Sequence, residues 1–453
     1  MLPAGAAALP NPDQSGIQHI VVVMMENRSF DHLLGWLPGA NGKQAGLSYT
    51  DTNGVAHSTY PLAPDFQGCG HPDPDHDYAG GRVEYDNGAC DGWLRAGQND
   101  IFSIGYYQQP DLSFLGVAAT NWTVCDNYFA SIMAGTYPNR LYQHAAQTDR
   151  LDDSISISTL PTIWDRLAEK NLTGRYYFSD IPMLAFWGTK YIPIMHFVSD
   201  FYDDAAAGNL PDVSFVEPRF LGEAQGISAD YHPVSDIRAG EYFLSKVYNA
   251  VINSPNWTNT VLVINFDEWG GFFDHVPPTT APVPDADRAA GDTSGLRGFR
   301  VPALIVSPWS KRASIATNLF DHTSVLKMIE WRYGLEPLTV RDAAATNLAE
   351  ALDFTAYNTN APAITAPQII SLPCAIQQPK LHHHPKNNNN LVVEWTSEAT
   401  LQVATNIAGP WINTTNTTSG YTLEPTETTQ YFRIQNKFDE LLALAKASGI
   451  PLP

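Results

Sequence analysis

Long apolar runs are missing from this chain of 453 residues. The longest, Ile20 to Met25, is of strand length and far short of the roughly 18 residues that a membrane-crossing helix needs, so no transmembrane segment is expected. Positive charge is scarce as well: 26 Lys and Arg stand against 47 Asp and Glu, a formal charge of −21. A sequence-independent grip on nucleic acid works through a basic field that displaces counterions, and this balance argues against it. The same sign disfavours anionic membrane surfaces. Cysteine is rare too. Cys69, Cys90, Cys125 and Cys374 include no C-x-x-C pair, which removes zinc ribbons and thioredoxin-like chemistry. Cys69 and Cys90 flank a loop rich in Gly, Asp and Pro and form the pair open to bridging in an oxidising compartment. The N-terminus, MLPAGAAALPNP, has no basic stretch and no room for an apolar region plus a cleavage site, so no signal peptide is read here. Earlier removal of one and a cytoplasmic location both stay open.

What is present is enough apolar sequence, 44%, to bury a large core in one large or two or three smaller domains. Several β-branched runs end in polar pairs and are followed by helical patterns, which is how an α/β sheet reads. Ile17 to Met25 stops at Glu26-Asn27, Thr260 to Phe266 at Asp267-Glu268, and Val301 to Val306 at Ser307-Pro308. The lack of alternation predicts strands buried on both faces, as in a parallel sheet covered by helices. Helices are expected after caps at Ser235-Asp236 and at Asp321 or Thr323, the second ending at Gly334, and over Thr162 to Glu169. Residues 38–125, rich in Gly, Pro, Asp and Tyr, read as a functional excursion above the sheet. The expected organisation is a catalytic domain over 1–360, a Pro-rich and then polar linker over 361–390, a small β module over 391–436, and a C-terminal helix over 437–453 packing on the main body. The triple His382 to His384 reads as incidental polarity.

Ligands of open α/β sheets bind beyond the carboxyl ends of strands. Glu26-Asn27 and Asp267-Glu268 end two such strands and offer three carboxylates and an amide oxygen, a hard donor set suited to Mg²⁺, Ca²⁺ or Mn²⁺; the alternative is that each pair caps a helix or meets Arg28. The two pairs are followed by near-copies ending Phe-Asp-His, which would place His32 and His275 behind the ligands as orienting groups, or leave them as ordinary satisfied histidines. In Ala134-Gly-Thr-Tyr-Pro-Asn-Arg-Leu-Tyr142, Gly135 permits a turn and Pro138 suits a first helical turn, so Thr136 is expected at a helix N-terminus, as a cap or as a nucleophile if a cation lies near. His71 and His76 in one aspartate-rich loop, or His232 just before a helix, are candidates to protonate a leaving oxygen; the aspartate-rich loop reads equally as a solvated turn.

Taken in order, IVVVMMENRSFDH, AGTYPNRLY, ADYHP, INFDEWGGFFDHV and VPALIVSPWS resemble the phosphoesterase family that unites bacterial phosphatidylcholine-type phospholipases C with a branch of bacterial acid phosphatases. The resemblance runs from about Ile17 to Leu335. It implies an alkaline-phosphatase-like α/β/α sandwich with a divalent metal at the strand ends. It implies further that Glu26, Asn27, Asp267, Glu268 and Thr136 hold that metal, that Thr136 is the nucleophile, that His76 and His232 contact phosphate or donate a proton, and that Arg140 belongs to the same block. Glu268 stands where the acid-phosphatase branch has an Asp. The implied substrate is a phosphate ester or phospholipid, hydrolysed through a covalent phosphothreonine.

Between diester and monoester the sequence is ambivalent. The Thr-type block and the aromatics Trp93, Tyr106, Tyr107, Trp122 and Tyr128 suit a choline-like cation held by rings, although such density more often marks a core. The short C-terminal module is less than the larger phospholipases carry. A broad-specificity acid phosphatase is the alternative. A sulfatase or phosphonate hydrolase is next, but a sulfatase would resemble chains with Cys-x-Pro-x-Arg where this one has Thr136-Tyr-Pro-Asn-Arg140. The non-enzyme reading is a calcium-stabilised binding protein. The resemblance favours a secreted or periplasmic location; metal identity and oligomeric state are not readable from the sequence.

Overall fold

Runs of Val and Ile pair wherever both faces can be covered, and here they form the middle of an eight-stranded sheet. The computed structural model describes residues 9–374, 382–386, 390–394, 399–413, 421–423 and 431–436. The sheet order is Ser314–Ala316, Thr123–Cys125, Ala303–Val306, Thr260–Phe266, His19–Met25, Val213–Val216, Gly174–Phe178 and Met195–Phe197. Every residue of Thr260–Phe266 and all but the first of His19–Met25 are buried, successive residues alike, so both faces are covered. Two helix groups do the covering. Thr136–Ala145 packs on His322–Tyr333 and Ile163–Glu169, while Val198–Ala207 packs on Ile237–Ile252.

The pairings are parallel except that Ala303–Val306 runs antiparallel to both neighbours, with Leu304 opposite Ile264. A run such as VPALIV reads the same in either direction, so periodicity could not reveal this. Its polar end therefore lies at the opposite edge from Glu26 and Asp267, and Ser307 Oγ bonds Thr260 O at the start of the adjacent strand.

Helix limits follow their caps. Asp236 accepts from Arg238 N, Asp321 accepts from Thr323 N, and Gly334 ends the second of these helices at φ +62. The helix after Thr136 stops at Ala146 in the left-handed conformation, short of the full NRLYQHAAQTDR pattern. Among the described residues no helix is long and apolar enough to cross a membrane.

The expected Cys69–Cys90 pairing is corrected. Cys69 is bridged to Cys374, 305 residues away, while Cys90 is a buried free thiol packed with Trp93, Trp269 and Phe299. Sequence proximity misled because residues 361–374 run back along the main body as a strap. In that strap Ile364 and Ala366 are buried, and Tyr248 and Asn249 donate to the carbonyls of Pro362 and Ile364. Beyond it two three-stranded sheets form, one from His382–Lys386, Asn390–Glu394 and Tyr421–Leu423, the other from Ile412–Asn413, Ala399–Ala404 and Tyr431–Asn436. The first strand thus begins inside the stretch expected as linker. The helix expected over 437–453 lies outside the described residues.

Candidate active site

Register brings the two polar pairs together. Met25 lies opposite Phe266 in a parallel pairing, so Glu26-Asn27 and Asp267-Glu268 leave the sheet side by side. Asn27 turns the chain at φ +59, a conformation Asn tolerates better than most non-glycine residues, and the Ser29-capped helix Phe30–Leu34 follows. Across from it, Gly270 has φ +63, and a Cβ there would lie 2.1 Å from Asn27 O. Only glycine lets the second strand's exit pass this close to the first.

Thr136 is the first residue of its helix and is fully buried. Asn139 shapes the turn before it, donating to Ile132 O, Ala134 O and Gly135 O while accepting from Ile132 N. The Thr136 hydroxyl lies 2.9 Å from Glu26 Oε1 and 3.3 Å from Asn27 Oδ1; its single proton goes best to the nearer carboxylate. This helix N-terminus is met by a carboxylate, since Tyr137 N donates to Asp153 Oδ1 at 2.7 Å.

Arg140, one turn further on, binds the first strand and its neighbour together. Its Nε donates to Asp267 Oδ2 at 3.0 Å, its Nη1 to Glu217 Oε1 at 3.2 Å, and its Nη2 to Met25 O at 3.1 Å. Burial works against its charge, but the carboxylates of Asp267, Glu217 and Glu26 outweigh it and raise its pKa. Burial pushes Asp267 up to about 6 and Glu217 to about 7, in each case against the pull of Arg140. Burial and the charge of Glu26 also raise Asp230 well above the usual carboxylate range.

The histidines take separate places around these acids. His76 Nδ1 lies 2.7 Å from Pro74 O, and its Nε2 lies 2.9 Å from Asn27 Nδ2 and 3.9 Å from Glu268 Oε1, so the ring steadies Asn27. His232 Nε2 lies 2.8 Å from Glu223 Oε1 and 3.6 Å from Asp73, and its ring stands edge-on to His76 at 6.0 Å. His32 accepts from Arg28 Nη1 and donates to Gly105 O, so it orients Arg28; burial and the Arg28 charge lower its pKa. His275 is not brought to the cluster: its Nδ1 bonds Asp31 Oδ2 and its Nε2 lies 3.2 Å from Asn41 Oδ1, and the near-copied Phe-Asp-His segments prove to meet each other, Asp31 and Asp274 both gripping the buried Arg300. The aromatics suited to a choline cage are corrected as well, because Trp93, Tyr106, Tyr107, Trp122 and Tyr128 are all buried in the core.

Four acids at the site were missed by sequence reasoning: Asp73, Glu217, Glu223 and Asp230. Asp230 had a readable signal, two residues before His232 in ADYHP, and its backbone O accepts from Glu26 N. Arg28 was passed over too. It is fully buried, its Nε donates to Tyr231 O, and its Nη2 has no hydrogen-bond partner among the described residues.

The donor set fits a cation. Glu26, Asn27, Asp267, Glu268 and Asp230 are all fully buried, and the buried Asp230 Oδ2 has no hydrogen-bond partner among the described residues. Buried acids in such excess over Arg28 and Arg140 call for a further positive charge. Ligand-capable atoms of Glu26, Glu223 and His232 lie within 4.8 Å of one another, as do those of Asp73, His76 and His232.

A family model described as the phosphoesterase family matches residues 17–336. Phospholipase C A of Mycobacterium tuberculosis (strain ATCC 25618 / H37Rv) is 30% identical over 431 residues, covering 79% of this chain and 81% of its own. Non-specific phospholipase C6 of Arabidopsis thaliana is 30% identical over 409 residues, covering 81% and 78%. Among solved structures, a protein in the alkaline phosphatase superfamily from Vibrio parahaemolyticus covers 97% of this chain and 88% of its own, at 11% identity and a TM-score of 0.38.

Proposed function

The chain belongs to the phosphoesterase family, and on that footing we propose that it is a phospholipase C-type hydrolase in which Thr136 attacks phosphorus. The observation that carries the reading is the buried Thr136 hydroxyl, 2.9 Å from Glu26 Oε1 at the point where two parallel strands deliver their carboxylates. An alcohol is a weak nucleophile unless a base takes its proton, and Glu26 is within reach to do so.

In the first step the Thr136 oxygen bonds to phosphorus, its proton passes to Glu26, and the bond from phosphorus to the diacylglycerol oxygen breaks. His232 protonates that oxygen. The headgroup phosphate is then esterified to Thr136. In the second step water attacks, its proton returns to His232, Glu26 reprotonates Thr136, and the phosphorylated headgroup leaves. Asn27, steadied by His76, keeps the nucleophile in line, and Arg28 Nη2, without a hydrogen-bond partner among the described residues, is available to equatorial oxygens. A divalent cation held by Glu26, Asn27, Asp267, Glu268 and Thr136 would supply further charge stabilisation of the transferring group. The Cys69–Cys374 disulfide suits an oxidising compartment, which supports a secreted or periplasmic location.

The test is a side-by-side rate comparison on phosphatidylcholine, glycerophosphocholine, phosphocholine and a simple monoester, with and without chelator. Phosphatidylcholine is expected to turn over fastest, and chelation to abolish turnover. A preference for monoesters makes the protein a phosphatase, and no turnover of any ester returns the binding-protein alternative.

A further inference from the structure

His76 and His232 come from loops far apart in sequence, yet one covalent link closes on both. Cys69 stands seven residues before His76, with Pro72 and Pro74 limiting the slack between them. Its partner Cys374 lies against the other loop. The Cys374 N–H donates to Gln225 O at 2.9 Å, and its Sγ touches Val234 O at 3.5 Å, a packing contact because a disulfide sulfur carries no proton. Gln67 adds a second strut, its Nε2 donating to Gly226 O at 2.9 Å and to Leu372 O at 2.7 Å. The junction is full: a Cβ on Gly226 would lie 2.3 Å from Val234 O and 3.0 Å from Cys374 Sγ.

The segment held this way is the one that aims His232. Glu223, which meets His232 Nε2, sits in the helical turn Glu223–Gln225 that Cys374 contacts. Flanking His232 in sequence, Tyr231 has φ +84 and Val234 φ +66. A tyrosine and a β-branched residue in the left-handed region are strained, and such conformations persist only where the surroundings over-determine them. The strap, the disulfide and Gln67 supply that constraint.

We propose that Cys69 and Cys374 are positioning residues for the reaction, their disulfide clamping the His76 and His232 loops against each other so that opening it lowers turnover before the protein unfolds. The inference rests on the reading of His232 as the acid for the leaving group. Its failure and the failure of that reading separate, because one of the two readouts needs no activity.

The experiment reduces the intact protein with dithiothreitol below its melting range. The reagent supplies two electrons and two protons, becomes a cyclic disulfide, and leaves two thiols. Reduction is confirmed by the gain of two reactive thiols under native conditions, since Cys90 and Cys125 are buried. Hydrogen exchange is then expected to quicken by about tenfold or more in residues 70–77 and 222–235 and to stay unchanged in the central strands. On a soluble choline phosphodiester, kcat is expected to fall about tenfold or more with KM changed less than about threefold, and the pH profile of kcat to shift. Reoxidation restores both, and Cys69→Ser/Cys374→Ser reproduces the reduced state. Leu348→Ala, a truncation of a fully buried side chain in the turn that packs on His322–Tyr333, lowers stability and leaves kcat and the profile alone. If reduction lowers only the melting temperature, with exchange in the two loops and kcat both unchanged, the disulfide is a simple staple and the proposal is overturned. If exchange quickens in a protein that turns over no diester, the clamp stands and the reading of His232 falls.

Discussion

Arg140→Met removes the guanidinium that holds Asp267 at 3.0 Å and Glu217 at 3.2 Å and lies 3.8 Å from Glu26. At an effective dielectric near 20, each of these contacts is worth about 4–6 kcal/mol before desolvation is subtracted. The net cost of stripping one partner from a buried ion pair is about 3–5 kcal/mol. We expect a loss of about 4 kcal/mol near pH 8, or roughly 4 °C in Tm for a chain of 453 residues. The loss is capped because the carboxyls escape by binding protons. Asp267, already pushed from 3.8 to about 6, and Glu217, from 4.5 to about 7, both rise further once Arg140 is gone. A raised folded-state pKa leaves stability intact below the unfolded value and removes it as pH climbs through the folded one. The deficit is therefore smallest near pH 5 and widens through pH 6 to 8 by up to about 1.4 kcal/mol per pH unit for each carboxyl. Thermal and urea unfolding of both proteins at several pH values, with chelator throughout, reads this directly. A deficit under about 1 kcal/mol, or one equal at pH 5 and pH 8, refutes the reasoning.

Other expectations follow from the same geometry. Gly270→Ala forces a Cβ within 2.1 Å of Asn27 O at φ +63, so it is expected to cost about 2 kcal/mol or more and to lower kcat on a soluble diester about 100-fold by displacing Asn27. Glu241 is pushed up to about 7 by burial, while Tyr231 and the N–H groups of Phe114 and Leu115 bond its carboxyl. Its stabilising contribution is full below about pH 4.5 and fades as pH rises through about 7. Glu241→Gln mimics the protonated form and should remove that part of the decline in Tm between pH 5 and 8. Tyr107→Phe loses a bond to Asp65 O and about 1 kcal/mol of stability, but should leave KM for choline esters unchanged because the ring is core rather than cage.

Most of the sheet was legible because an uninterrupted run such as TVLVINF is stable only between two covered faces, and the polar pairs after it mark the edge where ligands bind. Direction was not legible: Ala303–Val306 is as apolar as its parallel neighbours and runs the other way. Thr136 could be placed at a helix start from Gly135 and Pro138, local signals that need no tertiary partner. Glu223 and Asp73 could not be placed at all, since nothing near either residue in sequence indicates that both meet His232. The repeated Phe-Asp-His misled for a related reason. Two like segments at adjacent strand exits came together around Arg300 instead of around the site, and that pairing is visible only in three dimensions.

The claim on which the rest depends is that Thr136 becomes covalently bonded to phosphorus. Acid quenching of the protein during turnover of a soluble choline phosphodiester, followed by peptide mapping, tests it most directly. The expected result is a phosphocholine ester on Thr136, absent in Thr136→Ala, whose turnover falls by a factor on the order of 10⁴ or more. An unmodified Thr136 at every quench time, together with a Thr136→Ala variant that keeps most of its turnover, would contradict it.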